Sequence, residues 1–360
     1  MNLKSISYYL SLFLFPLSVL SFINILYSSY FNYFLSIESY LITLVVSLVL
    51  ACGLYLFGKN AERKITYINQ LILIIFVYFI VGILVSVPIY MSNSQIIFVN
   101  ALFESISGLT GTGFSTFTSV KYLDPTLILW RSSSQWLGGL YFLIFLILIF
   151  SNKTFNYKMT SLTFTSESAF NSEESVKGNI FKILIFYCII SFTILILLSF
   201  SDVRLFNSLN FTMTLVSAGG FLPTDNLNDI ISTKLQKIIL IFSLLFSYLN
   251  FYFLFNLFKR KIFIKNHRED FYLLSIVILS VLLTYLNNFD GLNTIINVTS
   301  SLANSGITLI EDNNNFSLFF LFLTIIGGSL ISNTSGIKFS RFYILLKITT
   351  AEILKLISPN

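Results

Sequence analysis

Charge is scarce in this chain. Only 11% of its 360 residues are Asp, Glu, Lys or Arg, 55% are hydrophobic, and the mean hydropathy is +0.83. Soluble domains carry about 25% charged residues, so the composition excludes that class and points to a polytopic membrane protein. Histidine is scarcer still: His267, in a basic loop, stands alone. Zinc chemistry and histidine-based nucleophilic catalysis therefore lack their usual groups. The two cysteines, Cys52 and Cys188, each lie in an apolar segment. They read as small buried hydrophobes, not as a disulfide or metal pair. The apolar segments hold no paired carboxylates, no His/Asp set and no metal-ligand cluster, which argues against a membrane-embedded enzyme. No Gly-rich phosphate cradle is present, so any nucleotide dependence has to come from another chain. The net charge of +6 does not imply nucleic acid, because the bases fall in short loops between apolar segments, as topology signals do. The 40 Phe and 19 Tyr read as lipid-facing bulk and interfacial belts.

Long apolar segments at 7–27, 40–57, 70–91, 126–150, 179–200, 235–258 and 271–286 predict membrane helices, since roughly 20 residues cross a bilayer. A last segment starts near 316, is interrupted by Gly327-Gly328-Ser329-Leu330-Ile331-Ser332-Asn333-Thr334-Ser335-Gly336, and resumes to 357. The first segment lacks a small-residue cleavage site and reads as a retained helix. Asp124-Pro125 opens the fourth, with proline in the first turn. Lys and Arg concentrate in the loops 58–69, 151–178 and 259–268 and after the final interruption. The positive-inside rule places these loops and the N-terminus in the cytoplasm. Loops on the opposite side carry Glu38, Asp202, Asp225, Asp229, Asp290, Glu311 and Asp312. They read either as a mildly acidic vestibule that concentrates cations or as ordinary solvated loops.

Three further segments, 96–109, 205–216 and 292–302, are apolar but too short to span. Each leads into a small-residue loop whose glycine sits at a comparable offset: Gly113, Gly220 and Gly306. The pattern of long span, half-span, Gly loop and long span thus occurs three times, with every half-span entering from the same side. A short helix points the negative end of its dipole at the loop that follows. Such a loop can present backbone carbonyls in place of water around a cation. The competing reading is a set of re-entrant packing loops, with glycines serving close helix contact.

Phe103-Glu104-Ser105-Ile106-Ser107-Gly108-Leu109-Thr110-Gly111-Thr112-Gly113 and Gln135-Trp136-Leu137-Gly138-Gly139 resemble the first repeat of bacterial potassium-uptake membrane subunits of the Trk/Ktr/HKT superfamily, TrkH type. Gly219-Gly220-Phe221 resembles the second filter of that family, and Ala303-Asn304-Ser305-Gly306 the third, less well. Ile326-Gly327-Gly328, then Thr334-Ser335-Gly336-Ile337-Lys338 and Arg341, resemble the interrupted helix after it. The resemblance implies an all-α integral membrane fold of helix/pore-loop/helix repeats, preceded by two extra N-terminal helices. On this sequence those units are 1–66, then 67–152, 176–262 and 269–360. It implies potassium as substrate, no cofactor and no transition metal. The implied filter residues are Thr110, Gly111, Thr112, Gly113, Gly219, Gly220, Asn304, Ser305 and Gly306, acting through backbone carbonyls with help from the hydroxyl of Thr110 or Thr112. The implied gating loop is 327–338, with Gly327, Gly328, Gly336 and Lys338. The family further implies a homodimer in the lipid of a bacterial inner membrane and a cytoplasmic nucleotide-binding regulatory subunit of the TrkA type. It has four repeats where this sequence supplies three, and its interrupting loop is richer in glycine.

Three charged residues need separate expectations. Glu104 is expected to brace the first loop by accepting local hydrogen bonds, the alternative being a source of negative potential near the pore. Arg131 is expected to snorkel at the end of the fourth span. Lys338 either biases ion passage from the interrupting loop or anchors the resumed helix at a headgroup region. Two other functions stay open. One is an incomplete or non-conducting subunit of such a transporter. The other is a secondary transporter of a small solute, against which the shared orientation of the repeats counts.

Overall fold

An apolar segment in lipid has no water to satisfy its backbone, so the chain is driven into helices wherever it crosses. The computed structural model follows that rule; it describes residues 3–33, 37–61, 65–92, 96–150, 176–258, 268–285, 291–308 and 317–357. His267, Asp290, Glu311, Asp312 and nearly all of the loops 151–178 and 259–268 lie outside the described residues. The helices, in chain order, are α1 (Leu3–Tyr30), α2 (Ile37–Gly58), α3 (Tyr67–Ser92), α4 (Phe98–Thr110), α5 (Pro125–Phe150), α6 (Val176–Phe200), α7 (Leu205–Val216), α8 (Lys234–Tyr248), α9 (Phe251–Phe258), α10 (Arg268–Tyr285), α11 (Gly291–Ala303), α12 (Ser317–Ile325) and α13 (Phe339–Ile357). By length and composition, α1, α2, α3, α5 and α6 are each able to cross a membrane, and α8 with α9 makes a sixth if the pair is one span. The expected half-spans appear as α4, α7 and α11. At 268–285, α10 carries Arg268, Glu269 and Asp270 in its first turn and is not among those spans.

The chain divides into two units. The first comprises Met1–Phe155 and Val203–Ile230, and so contains α1 to α5 and α7. At its centre is α5, 72% of whose apolar window is buried, against 22% for α2. Trp130 Nε1 donates to the Val85 carbonyl of α3 at 3.0 Å, and the Tyr141 hydroxyl donates to the Phe13 carbonyl of α1. Gly138 lets α5 pass the end of α4: a Cβ there would lie 2.0 Å from the Leu109 oxygen. Cys52 on α2 and Cys188 on α6 are both exposed on the chain surface, which corrects the expectation of burial. Helices that are apolar on every side give the sequence no polar face from which to read orientation.

The second unit comprises Asn156–Asp202 and Ile231–Asn360. Its α8 opens on a capping box, in which Gln236 N donates to Thr233 Oγ1 at 3.3 Å and Thr233 N to Gln236 Oε1 at 3.0 Å. The expected continuous span 235–258 is instead broken: α8 and α9 meet at 118° across Leu249 and Asn250. Several backbone groups freed by the break find new partners. Asn250 N donates to Asp270 Oδ1 at 2.9 Å, Phe251 N to the Ile331 carbonyl at 2.9 Å, and the Tyr248 carbonyl accepts from Ser329 N at 3.1 Å. The interruption after α12 falls where the sequence placed it. Two short parallel strands, β1 (Ile326–Gly327) and β2 (Ile337–Lys338), close its ends, pairing Ile326 with Ile337 and Gly327 with Lys338.

Gly138→Ala is expected to force α4 and α5 apart and to cost about 1–3 kcal/mol, as overpacking does. Gly53→Ala on α2 meets nothing within 4 Å and is expected to leave stability unchanged or slightly raised. Thermal unfolding of the two purified variants in detergent separates these outcomes.

Candidate ion-filter site

The ends of the three short helices share one backbone geometry. After α4, Gly111 N donates to the Gly108 carbonyl at 3.0 Å and Thr112 N to the Ser107 carbonyl at 3.0 Å. After α7, Ala218 N bonds Leu215 at 3.1 Å and Gly219 N bonds Thr214 at 2.9 Å. After α11, Asn304 N bonds Ser301 at 3.1 Å and Ser305 N bonds Ser300 at 3.2 Å. The residue at the turn is left-handed each time, with φ of 69°, 56° and 57° for Gly111, Ala218 and Asn304. These are Schellman turns, which satisfy the last carbonyls of a helix locally.

A hydroxyl then fixes the chain beyond the turn. Ser107 Oγ donates to the Phe114 carbonyl at 2.6 Å, and Thr214 Oγ1 donates to the Phe221 carbonyl at 2.7 Å, both seven residues on. At the third loop Ser300 Oγ instead pairs with Ser305 Oγ at 2.9 Å. Between turn and clamp lie Thr112-Gly113, Gly219-Gly220 and Ser305-Gly306. Among the described residues, none of these six carbonyls accepts a hydrogen bond. Thr110 Oγ1 donates back to the Ile106 carbonyl at 2.8 Å and lies 2.7 Å from Thr112 Oγ1. The Thr110 hydroxyl is therefore committed to its helix, while Thr112 Oγ1 keeps acceptor capacity.

In the first unit the two loops meet backbone to backbone. Gly113 has φ of 78°, and a Cβ on it would lie 2.8 Å from both N and Cα of Gly220. Behind them runs one face of α5. Arg131 Nη2 lies 2.7 Å from Glu104 Oε1, and Arg131 Nε donates to the same oxygen at 2.8 Å. Gln135 Oε1 accepts from Phe221 N at 3.3 Å. Arg131 is 2% exposed and Glu104 0%, which corrects the expectation that Arg131 snorkels. Glu104 does brace the loop: it accepts from Ser115 Oγ at 3.0 Å, Thr116 N at 2.8 Å and Thr116 Oγ1 at 3.2 Å. Further along, Asp225 ties the segment after loop two to that after loop one, accepting from Ser119 Oγ at 2.7 Å and Val120 N at 2.6 Å. These two bonds hold its carboxyl below the usual carboxylate range.

In the second unit the interrupting segment is internally bonded, buried over 327–332 and exposed at 335–337. Gly328 N donates to Thr334 Oγ1 at 2.9 Å, and Ser332 Oγ donates to the Ser329 carbonyl at 2.7 Å. Lys338 Nζ donates to the carbonyls of Ser332 at 2.9 Å and Thr334 at 2.7 Å. Lys338 is thus turned into its own loop and not out to a headgroup region. Leu330 N donates to Glu269 Oε1 at 3.2 Å. A Cβ on Gly336 would come within 3.1 Å of Asn304 Nδ2, so the third small-residue loop abuts the interrupting segment.

The structure brings Thr110, Gly111, Thr112, Gly113, Gly219 and Gly220 together in the first unit, and Asn304 with Gly336 in the second. Sequence reasoning missed Ser107, Thr214, Gln135, Glu269 and Asp270. A readable signal existed for the first two: each is a hydroxyl seven residues before the Phe that follows the loop glycine. Nothing local marks Glu269 or Asp270, whose partners lie far along the chain.

Five helices long and apolar enough to cross a membrane, with three short helices that are not, define an all-α multi-pass membrane protein. Comparison with known proteins narrows the class. No family model matches the chain. It is 27% identical over 282 residues to an uncharacterized cation transporter of Methanocaldococcus jannaschii, covering 76% of this chain and 58% of that protein. It is 23% identical over 337 residues to the Trk system potassium uptake protein TrkH of Salmonella typhimurium, covering 86% of this chain and 68% of that one. The crystal structure of the potassium transporter TrkH from Vibrio parahaemolyticus superposes with a TM-score of 0.82 at 18% identity, over 100% of this chain and 78% of the other. The TrkH fold is therefore shared, and the resemblance to Trk-type potassium-transporter membrane subunits is borne out. The chain groups with transport proteins and not with enzymes. Against the first of these relatives it spans less than two thirds of the length.

Ser107→Ala is expected to free the Phe114 carbonyl and to cost about 1 kcal/mol. Thr214→Val, which keeps the shape and loses the hydroxyl, is expected to do the same at the second loop. A fall in unfolding temperature for both, with Ser7→Ala on exposed α1 backbone as reference, checks the clamp.

Proposed function

We propose that this chain is a membrane subunit for potassium uptake and that its small-residue loops supply the filter. The observation that carries this reading is the run of unclaimed carbonyls at Thr112-Gly113, Gly219-Gly220 and Ser305-Gly306, each held between a Schellman turn and the chain beyond it. Carbonyls already fixed by the fold replace the hydration shell of a cation with little further ordering. The C-terminal dipole ends of α4, α7 and α11 favour positive charge there. Potassium is the ion because the TrkH relatives are named as potassium uptake proteins. The segment 327–338 is the gate in this reading, with Gly327, Gly328 and Gly336 as its pivots and Lys338 as the residue that holds it folded. The expected setting is a bacterial inner membrane with a cytoplasmic N-terminus. The expected partners are a second copy of the chain and a nucleotide-binding regulatory subunit.

The test is growth on low potassium of a cell deficient in potassium uptake, expressing this chain alone and in its full coding context. Rescue in either setting is the expected result. Gly113→Ser adds a side chain at a left-handed position pressed against Gly220. It is expected to abolish the rescue or to lower potassium-over-sodium preference by about tenfold, the equivalent of 1.4 kcal/mol. Undiminished preference in that variant removes the filter assignment, and solute uptake indifferent to potassium supports a secondary transporter instead.

A further inference from the structure

On α5, Arg131, Ser134, Gln135 and Gly138 stand at i, i+3, i+4 and i+7, one face of a helix. Every one of them meets a loop-bearing element. Gly138 lies against Leu109 at the end of α4, and Ser134 Oγ lies 2.7 Å from where a Cβ on Gly108 would be. The Gln135 amide lies over Gly219 and accepts from Phe221 N. Arg131 reaches furthest. It pairs with Glu104 of α4, its Nη2 donates to Ser115 Oγ at 3.0 Å beyond loop one, and its guanidinium carbon sits 4.2 Å from the centre of the Phe221 ring beyond loop two. The Phe117 ring centre is 5.2 Å from the same carbon. A planar guanidinium makes forked hydrogen bonds in its plane and meets aromatic rings across its faces, which an ammonium cannot do together. One buried side chain thus touches α4, the segment leaving loop one and the residue that follows Gly220.

Buried ion pairs are poor sources of stability, because desolvation offsets their attraction, but losing one partner strands a buried charge. Pairing with the Arg131 guanidinium also offsets Glu104 as a source of free negative potential. We propose that Glu104 and Arg131 are a positioning pair that couples loop one to loop two. They set the approach of Gly113 to Gly220 from behind and, through it, ion preference. The last clause rests on the filter reading above; the coupling does not.

Hydrogen exchange on the purified full chain in detergent tests the coupling without needing transport. Arg131→Met is expected to speed exchange of the amides at 112–117 and also at 219–222, by about tenfold, as a local opening would. Glu104→Gln/Arg131→Met removes both charges and is expected to speed both segments by less than Arg131→Met alone. A merely local support gives no such response at 219–222. Unchanged exchange there in folded Arg131→Met overturns the proposal. If that variant does not fold, unchanged exchange in the double variant overturns it equally. Arg131→Lys keeps the charge without the fork, so it is expected to lower the potassium-to-sodium flux ratio in vesicles and to loosen 219–222. If the unaltered protein shows no preference between the two ions, the filter reading fails, and hydrogen exchange still decides the coupling.

Discussion

A helix that stops inside an apolar layer leaves its last carbonyls without partners, and no water is there to take them. The structure depends on how that debt is settled. At α4, α7 and α11 a left-handed residue turns the chain so that its own amide and the next bond back to the helix end. Among the described residues, the oxygens of the next two peptide groups accept no hydrogen bond. Closing the helix and presenting carbonyls are therefore one geometry. A hydroxyl from the last helical turn then stops the chain from drifting, at a cost of one Ser or Thr per loop in the first unit.

Placing polar groups on α5 would be unfavourable if they faced lipid. Arg131 and Gln135 find partners in the segments that follow the loops, while Ser132, Ser133 and Ser134 bond back to carbonyls of α5 itself. The Arg131–Glu104 pair contributes little net stability by itself, but the groups it touches have few other ways to be satisfied. Its effect is to make one arrangement of α4 and the two loops much better than its neighbours. The interrupting segment 327–338 repeats the logic with a different cation: the Lys338 ammonium lies on loop carbonyls, and β1 and β2 pin the ends.

How much of this could be read from the residues follows from the range of the interactions. Long helices, half-helices and the interruption at 327–336 were legible, because hydropathy over a window and local glycine content determine them. The break at Leu249 and Asn250 was not, since no proline or glycine marks it and its stabilising partners, Asp270 and Ile331, are distant. Arg131 was misread for the same reason: its carboxylate is 27 residues away, and a lone arginine near a helix end looks like a snorkel. Counting glycines located the loops but pointed past the turn itself. Two of the three left-handed positions are Ala218 and Asn304; asparagine tolerates that region, whereas alanine is held there by the flanking hydrogen bonds against its own preference.

The third loop departs from the other two in one respect that bears on motion. Its clamp is not hydroxyl to carbonyl but hydroxyl to hydroxyl, Ser300 to Ser305. Its left-handed residue is an asparagine whose amide lies against Gly336, itself left-handed with φ of 76°. Packed interiors transmit displacement because they have no slack. Gly336 itself is exposed, so the contact with Asn304 lies at the edge of that packing. The sheet pairing of Gly327 with Lys338 and the bond from Leu330 to Glu269 hold the segment on its other sides. On these contacts the interrupting segment and the third loop are packed against each other.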